Sequence, residues 1–235
     1  MIKEAIILAG GFGTRLQSVI SDVPKCLAPV AGKPFLHYLL YFLKESGIER
    51  FIFSIGFKHE QIEQYLIENH PQLNYTLSLE NKPLGTGGAI QLGLLKCSHK
   101  NVVVCNGDTL YKVDISLLNK FHETKKATCT LCLKPMYNFD RYGVVELNED
   151  KTVRAFKEKQ FYISGLINGG LYALNVEKFL KENLPEIFSF EKNYLEVKIN
   201  TTNKKSNIYG IIADKYFIDI GIPEDFQKAQ IELKK

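Results

Sequence analysis

An apolar run, Ala5-Ile6-Ile7-Leu8, breaks into Ala9-Gly10-Gly11-Phe12-Gly13-Thr14-Arg15-Leu16, and this junction narrows the choice of fold more than any other stretch of the chain. Four consecutive apolar positions ahead of a glycine turn read as a buried strand. Three glycines within four residues let backbone N–H groups crowd around anionic oxygens with no Cβ in the way. Arg15 adds a planar fork of donors suited to phosphate. The two familiar phosphate fingerprints do not fit: one requires Gly-Lys-Ser/Thr, and the other a third glycine where Leu16 stands. A phosphate-wrapping loop of a different nucleotide-binding class is therefore expected, with Leu8, Gly10, Gly11, Gly13, Thr14 and Arg15 in contact with nucleotide. Taken alone, the segment could instead be an ordinary glycine turn after a first strand, the less favoured of the two readings.

The segment Val23-Pro24-Lys25-Cys26-Leu27-Ala28-Pro29-Val30-Ala31-Gly32-Lys33-Pro34 follows within one loop's reach and brings a second cation beside Arg15. In order, Gly-Gly-x-Gly-Thr-Arg-Leu, then Pro-Lys, then Pro-x-x-Gly-Lys-Pro resemble the signature of the sugar-1-phosphate nucleotidylyltransferases, which join a nucleoside triphosphate to a sugar phosphate. Gln17-Ser18 and Cys26 stand where most members carry Arg-Pro and Pro. In this the chain looks like the members that guanylylate D-glycero-D-manno-heptose 1-phosphate. Larger enzymes of the family carry a C-terminal left-handed β-helix; its hexapeptide repeats are absent here, and the resemblance implies the catalytic core alone.

With 45% hydrophobic and 24% charged residues, a chain of 235 residues can bury a substantial core. No Pro/Gly/Ser-rich linker or shift in composition divides it. A single domain over 1–235 is expected, with a nucleotide-binding half over about 1–128 and a sugar-phosphate-binding half over about 129–235. The net charge of +4 comes from cations spread along the chain, so nucleic acid is not expected as a partner. No apolar stretch approaches the roughly 20 residues needed to span a bilayer, and no leader precedes the first strand. The expectation is a cytoplasmic protein without a membrane partner; a homodimer is allowed for, the oligomeric state being left open. Five cysteines without disulfide-like spacing agree with a reducing compartment. Cys129 and Cys132 form C-x-x-C, but on a strand positions three apart face opposite ways and cannot share a metal.

Strand-like runs at Ala5–Leu8, Phe51–Ile55, Tyr75–Leu79 and Val102–Cys105 alternate with helical patterns at Phe35–Glu45, Gln61–Ile67 and Gly88–Leu95. That alternation predicts a Rossmann-like α/β fold: an open, mostly parallel mixed sheet with helices on both faces. Beyond about Thr128 the pattern becomes sheet-rich, with strands at Val144–Leu147, Val153–Lys157 and Gly170–Leu174 and a closing helix at Pro223–Leu233. This small excursion is expected to close a sugar site over the nucleotide site at the carboxyl ends of the strands.

A triphosphate and a sugar phosphate in one cleft need a cation held by carboxylates, and Mg²⁺ prefers one or two of these plus phosphate oxygens. Asp108 follows the buried run Val102–Cys105, and Asp219 interrupts Phe217-Ile218-Asp219-Ile220-Gly221. An acid in such apolar surroundings needs a partner. The resemblance implies that both are metal ligands, since its Gly-Asp and Asp-x-Gly-x-Pro patterns are intact here. The reaction it implies is in-line attack by the sugar-phosphate oxygen on the α-phosphorus, with Arg15 on the β- and γ-phosphates and Lys25 on the α-phosphate. Arg15, Lys25 and Asp108 are the catalytic candidates.

Glu80 offers two acceptors for the adjacent N1–H and N2–H₂ donors of guanine, whereas uracil and thymine offer one donor on that edge. Glu80 with Gly85 and Thr86 of the following loop is expected to read the base; the order Glu-x-x-Pro-Leu-Gly-Thr-x-Gly looks like the guanylyltransferases of the family. By resemblance, Asn106, Gly143, Glu158, Lys159 and Asn168 hold the sugar phosphate, Gly143 through its backbone, Glu158 on hydroxyls and Lys159 on phosphate. Gln160 stands where a proline is usual. The rival readings keep the reaction but change the substrates, to GDP-mannose or a UDP-sugar, or change the class. A metal-dependent glycosyltransferase would need an Asp-x-Asp that Asn106-Gly107-Asp108-Thr109 lacks; a non-catalytic nucleotide-sugar sensor would bind without releasing pyrophosphate.

Overall fold

A computed structural model describes residues 1–11, 22–201 and 206–234. Its first half comprises β1 (Glu4–Leu8), the short strands β2 (Pro29–Val30) and β3 (Lys33–Pro34), α1 (Phe35–Glu45), β4 (Arg50–Ile55), α2 (His59–Asn69), β5 (Tyr75–Leu79), α3 (Gly85–Leu94), β6 (Asn101–Asn106), β7 (Thr109–Tyr111) and α4 (Ile115–Thr124). The second half adds β8 (Cys129–Phe139), β9 (Val144–Leu147), β10 (Val153–Lys157), β11 (Tyr162–Asn175), α5 (Val176–Leu180), α6 (Glu196–Thr201), β12 (Ile208–Ile212), β13 (Phe217–Asp219) and α7 (Pro223–Glu232).

The order β5-β4-β1-β6 is fully parallel. The chain moves outward from β1 to β4 and β5, then returns to place β6 on the other side of β1. This reversal opens a crevice at the carboxyl ends of β1 and β6, where Leu8 lies level with Asn106. Beyond β6 the sheet turns antiparallel through β11, which also pairs with β8 and β9. Alternate strand residues divide the core. Ile7, Phe53, Val103 and Cys132 pack on one face with α1, α2, α4 and α7. Ile6, Ile52, Val104 and Cys129 pack on the other with α3 and α5. Cys129 and Cys132 are thus buried free thiols on opposite faces, as the strand period requires.

The strand expected at Gly170–Leu174 runs instead from Tyr162 to Asn175. Gly169-Gly170 interrupts the apolar pattern because the register against β8 shifts there: Asn168 opposes Leu133 and Tyr172 opposes Leu131, so β11 carries two extra residues. Gly170 takes φ +66° within this bulge, a left-handed conformation that glycine adopts at little cost. Helix α3 begins at Gly85, three residues before the expected start. Helix α4 carries no sequence expectation, although Asp114 caps it by accepting from the Ser116 and Leu117 N–H groups at 2.9 and 3.0 Å.

At the opposite end of the sheet from the crevice, the fully buried Glu4 pairs with Arg50. It also accepts from the Ser98 and His99 N–H groups at 2.9 and 2.8 Å, tying the turn after α3 to β1. Burial opposes its charge, but the His99 N–H, the Arg50 guanidinium and the Ser98 N–H together hold its pKa below the ordinary 4.5. Its stabilising contribution is therefore present above the unfolded-state pKa and lost as pH falls through the folded value. Glu4→Gln is expected to destabilise the fold by about 3 kcal/mol at pH 7 by leaving Arg50 without its charge partner. Urea unfolding at neutral pH and below pH 4.5 checks this: the gap between variant and wild type should shrink on acidification.

Candidate active site

Lys25, on a single 3₁₀ turn (Lys25–Leu27), forms an ion pair with Asp108 that keeps partial contact with solvent. Asp108 follows β6, and the next residues form β7, which pairs antiparallel with β13 so that Thr109 lies opposite Asp219. The Ile220 N–H donates to the Asp108 carbonyl at 3.0 Å, and the Gly221 N–H donates to Asp219 Oδ1 at 2.8 Å. A methyl group at Gly221 would stand 2.8 Å from that Oδ1 and 3.1 Å from Lys25 Nζ. Two carboxylates separated by more than a hundred residues in sequence therefore meet around one ammonium. The Gly107 N–H donates to the Leu8 carbonyl at 2.9 Å, and a Cβ at Gly107 would press on that same oxygen at 2.8 Å. The acidic loop is thereby seated against the end of β1.

Glu80, just past β5, is half-buried, and a Cβ added at Gly10 would meet its Oε1 at 3.0 Å. Its Oε2 accepts from the Leu84 N–H at 3.0 Å, which fixes the loop ahead of α3. Burial raises its pKa, partly countered by that N–H. Gly13, Thr14 and Arg15 lie outside the described residues. Lys25, Asp108 and Asp219 thus gather on the β6 side of the end of β1, and Gly10 and Glu80 on its β4–β5 side.

The glycines at the start of α3, expected to permit close approach of a nucleoside, also make room for the chain itself. A Cβ at Gly85, whose φ is +71°, would stand 2.6 Å from the Phe188 carbonyl oxygen, and one at Gly87 only 2.1 Å from the Phe188 ring. The Gly87 N–H donates to the Phe188 carbonyl at 2.9 Å, and Thr86 Oγ1 accepts from the Phe190 N–H at 2.9 Å. Gly85 and Thr86 brace the loop against the Glu186–Phe190 strap.

The five residues expected to hold a sugar phosphate, Asn106, Gly143, Glu158, Lys159 and Asn168, all line one cleft of about 670 Å³, with Asp219 at its wall. Gly143 has no room for a side chain, because a Cβ would lie 2.4 Å from the Lys157 carbonyl oxygen. Asn168 stands at the β11 bulge, and Gly170 packs against the Asn106 amide. Sequence reasoning missed five further charged lining residues: Arg141, Glu191, Lys192, Glu196 and Asp225. Arg141 donates to Asp225 at 2.7 Å and joins the β8–β9 turn to α7. Tyr142 lies between this pair and Phe217; burial and then the Asp219 carboxylate push its phenol pKa up. Glu191 and Lys192 come from a single π-helical turn, Phe190–Leu195, capped by Ser189. The alternation of Phe190, Tyr194 and Leu195 with charged residues was the available signal for that turn.

The donor set bears on which cation the crevice could hold. Among the described residues no group of three or more His, Cys, Asp or Glu side chains comes together. A pair of carboxylates with hard oxygen donors suits Mg²⁺ completed by phosphate oxygens, and does not suit a closed Zn²⁺ site.

The nucleotidyl transferase family model matches residues 4–235. The chain belongs to this family. Among curated relatives, this nucleotidyl transferase is 48% identical over 231 residues to the D-glycero-alpha-D-manno-heptose 1-phosphate guanylyltransferase of Aneurinibacillus thermoaerophilus, covering 98% of each chain. It is 44% identical to the protein of the same name from Campylobacter jejuni, covering 95% of this chain and 96% of that one. Among solved structures, HddC from Yersinia pseudotuberculosis complexed with GMP-PN matches with a TM-score of 0.86 and 34% identity, over 99% of this chain and all of that one. The nucleotidyl transferase is thus matched end to end, through the sheet-rich half as well as the crevice. Among its described residues no helix is long and apolar enough to cross a membrane.

Proposed function

We propose that the chain transfers a guanylyl group from GTP to D-glycero-α-D-manno-heptose 1-phosphate, releasing pyrophosphate, in the cytoplasm and for surface polysaccharide synthesis. The observation that carries the reading is the meeting of Lys25, Asp108 and Asp219 at the β1/β6 crevice, beside a cleft lined by every residue assigned to the sugar phosphate. The end-to-end similarity to two heptose 1-phosphate guanylyltransferases supports the choice of substrates.

In the reaction, an oxygen of the sugar phosphate bonds to the α-phosphorus while the bond from that phosphorus to the α–β bridging oxygen breaks, and pyrophosphate leaves. The nucleophile is already ionised at neutral pH, so no general base is required. Lys25 stabilises charge on the α-phosphate, and Arg15 with the glycine loop holds the β- and γ-phosphates. Asp108 and Asp219 would hold Mg²⁺, which when bound neutralises phosphate charge. Glu80 accepts from guanine, and its elevated pKa implies that base recognition weakens as pH falls into the acid range. Lys159 and Arg141 supply cations for the sugar phosphate, and Glu158 takes sugar hydroxyls.

Pyrophosphate release across GTP, UTP, dTTP and ATP, each with heptose, mannose and glucose 1-phosphates, tests the proposal. The largest kcat/KM is expected for GTP with the heptose. A larger value for mannose 1-phosphate would reassign the sugar, and binding without pyrophosphate release in the presence of Mg²⁺ would favour a sensor.

A further inference from the structure

The π-helical turn brings into the sugar cleft a carboxylate that neither the sequence motifs nor the resemblance assigns. Its backbone is held firmly. Phe190 is buried, with its ring centroid 5.0 Å from that of Tyr172 and 5.5 Å from that of Tyr194, while its N–H is fixed on Thr86. From this base Glu191 borders the cleft, and its Oε1 accepts from Asn168 Nδ2 at 2.6 Å.

The hydrogen bonds of Asn168 decide what each of the two residues can do. Its Nδ2 donates both to Glu191 and to the Tyr172 hydroxyl, at 2.8 Å, so both amide hydrogens are engaged. Its Oδ1 accepts from the Gly170 N–H at 3.2 Å, within the β11 bulge. Asn168 therefore has no N–H left for a ligand. Glu191 differs: among the described residues no donor reaches its Oε2, and an ionised carboxylate offers only acceptors. Sugar hydroxyls are donors in search of acceptors, whereas the phosphate needs the cations of the same cleft, Arg141, Lys157, Lys159 and Lys192.

We infer that Glu191 is a specificity-determining residue that accepts hydrogen bonds from the hydroxyls of the sugar 1-phosphate, with Asn168 as its positioning partner. This rests on the proposed guanylyltransferase reading and deepens it, adding Glu191 to Glu158 as an acceptor for the sugar hydroxyls.

The test is steady-state kinetics on Glu191→Ala, Glu191→Gln, Asn168→Ala and the Glu191→Ala/Asn168→Ala double variant, with both substrates varied. Glu191→Ala is expected to raise KM for the sugar 1-phosphate roughly tenfold or more, the scale of a lost hydrogen bond to a charged group. KM for GTP should stay within twofold. Glu191→Gln, which keeps an acceptor oxygen, should recover part of the loss. Asn168→Ala should shift KM for the sugar in the same direction by less, and the double variant should be no worse than Glu191→Ala alone, because the two residues act as one unit. A silent Glu191→Ala beside a large Asn168→Ala effect would overturn the inference. So would equal increases in both KM values, the mark of a merely structural role. The variants are assayed on whichever nucleotide and sugar-phosphate pair the wild type turns over fastest. A different preferred sugar then overturns the heptose reading while the Glu191 comparison still stands or falls by itself.

Discussion

Lys25→Ala is expected to lower kcat by about a hundredfold or more, with a smaller change in KM for GTP, on the scale of a lost electrostatic stabiliser. The structure gives the reason for the imbalance. Lys25 sits on a short turn packed under Gly107 by way of Cys26, and its ammonium is paired with Asp108. That pairing holds the cation at the crevice before substrate arrives, so little reorganisation is needed as charge moves onto the leaving pyrophosphate. In the proposed reading, binding of the triphosphate is shared with the glycine loop and Arg15, which the substitution does not alter. Lys25→Arg keeps the charge but replaces a compact ammonium with a planar fork, and only partial recovery is expected. The pair is partly solvated, so the stability cost of either change should be small and the effect should appear in turnover. Initial rates of pyrophosphate release at saturating substrates, with unfolding curves as a control, check this; an unchanged kcat removes Lys25 from the chemistry.

Much of the crevice was legible because its signals are local. A glycine turn ends one buried strand, Asn106-Gly107-Asp108 ends another, and Asp219 stands alone in an apolar run. Each is an exception to its surroundings that a reader of the sequence can see. Strand alternation likewise placed Cys129 and Cys132 on opposite faces, and the structure buries them in separate halves of the core. The packing of Gly85, Gly87 and Gly88 was not legible, because a missing side chain looks the same whether a ligand or the chain itself comes close. Here, a hundred residues later, Phe188 closes on Gly85 and Gly87, and the Glu186 carbonyl closes on Gly88. β11 was read as short because its bulge glycines break the pattern at the point where they re-aim Asn168. Glu191 was invisible for a related reason: two adjacent charges between aromatics look like a solvated helix face. Only the packing of Phe190 and Tyr194 turns them toward the cleft.

Asp219→Asn is expected to lower kcat about a thousandfold and to shift half-maximal activity to higher Mg²⁺, if the proposed carboxylate pair holds the cation, whose charge stabilisation is worth several kcal/mol. Asparagine keeps the volume and an oxygen to accept from the Gly221 N–H, so the turn after β13 and the Thr109 pairing should persist. What changes is charge. Before nucleotide binds, Asp108 and Asp219 share the neighbourhood of Lys25, and Arg141 also feels the Asp219 carboxylate. Removing one of two like charges there relieves repulsion but also gives up attraction to Lys25 and Arg141, so the thermal midpoint without Mg²⁺ should change little. A purely structural Asp219 would give the opposite pair of results, a lower midpoint with nearly normal turnover and an unchanged Mg²⁺ requirement. Measuring kcat against Mg²⁺ concentration together with thermal unfolding separates the two cases. The expected combination, a fold about as stable and turnover nearly abolished, is that of a group placed for a bound cation rather than for the fold.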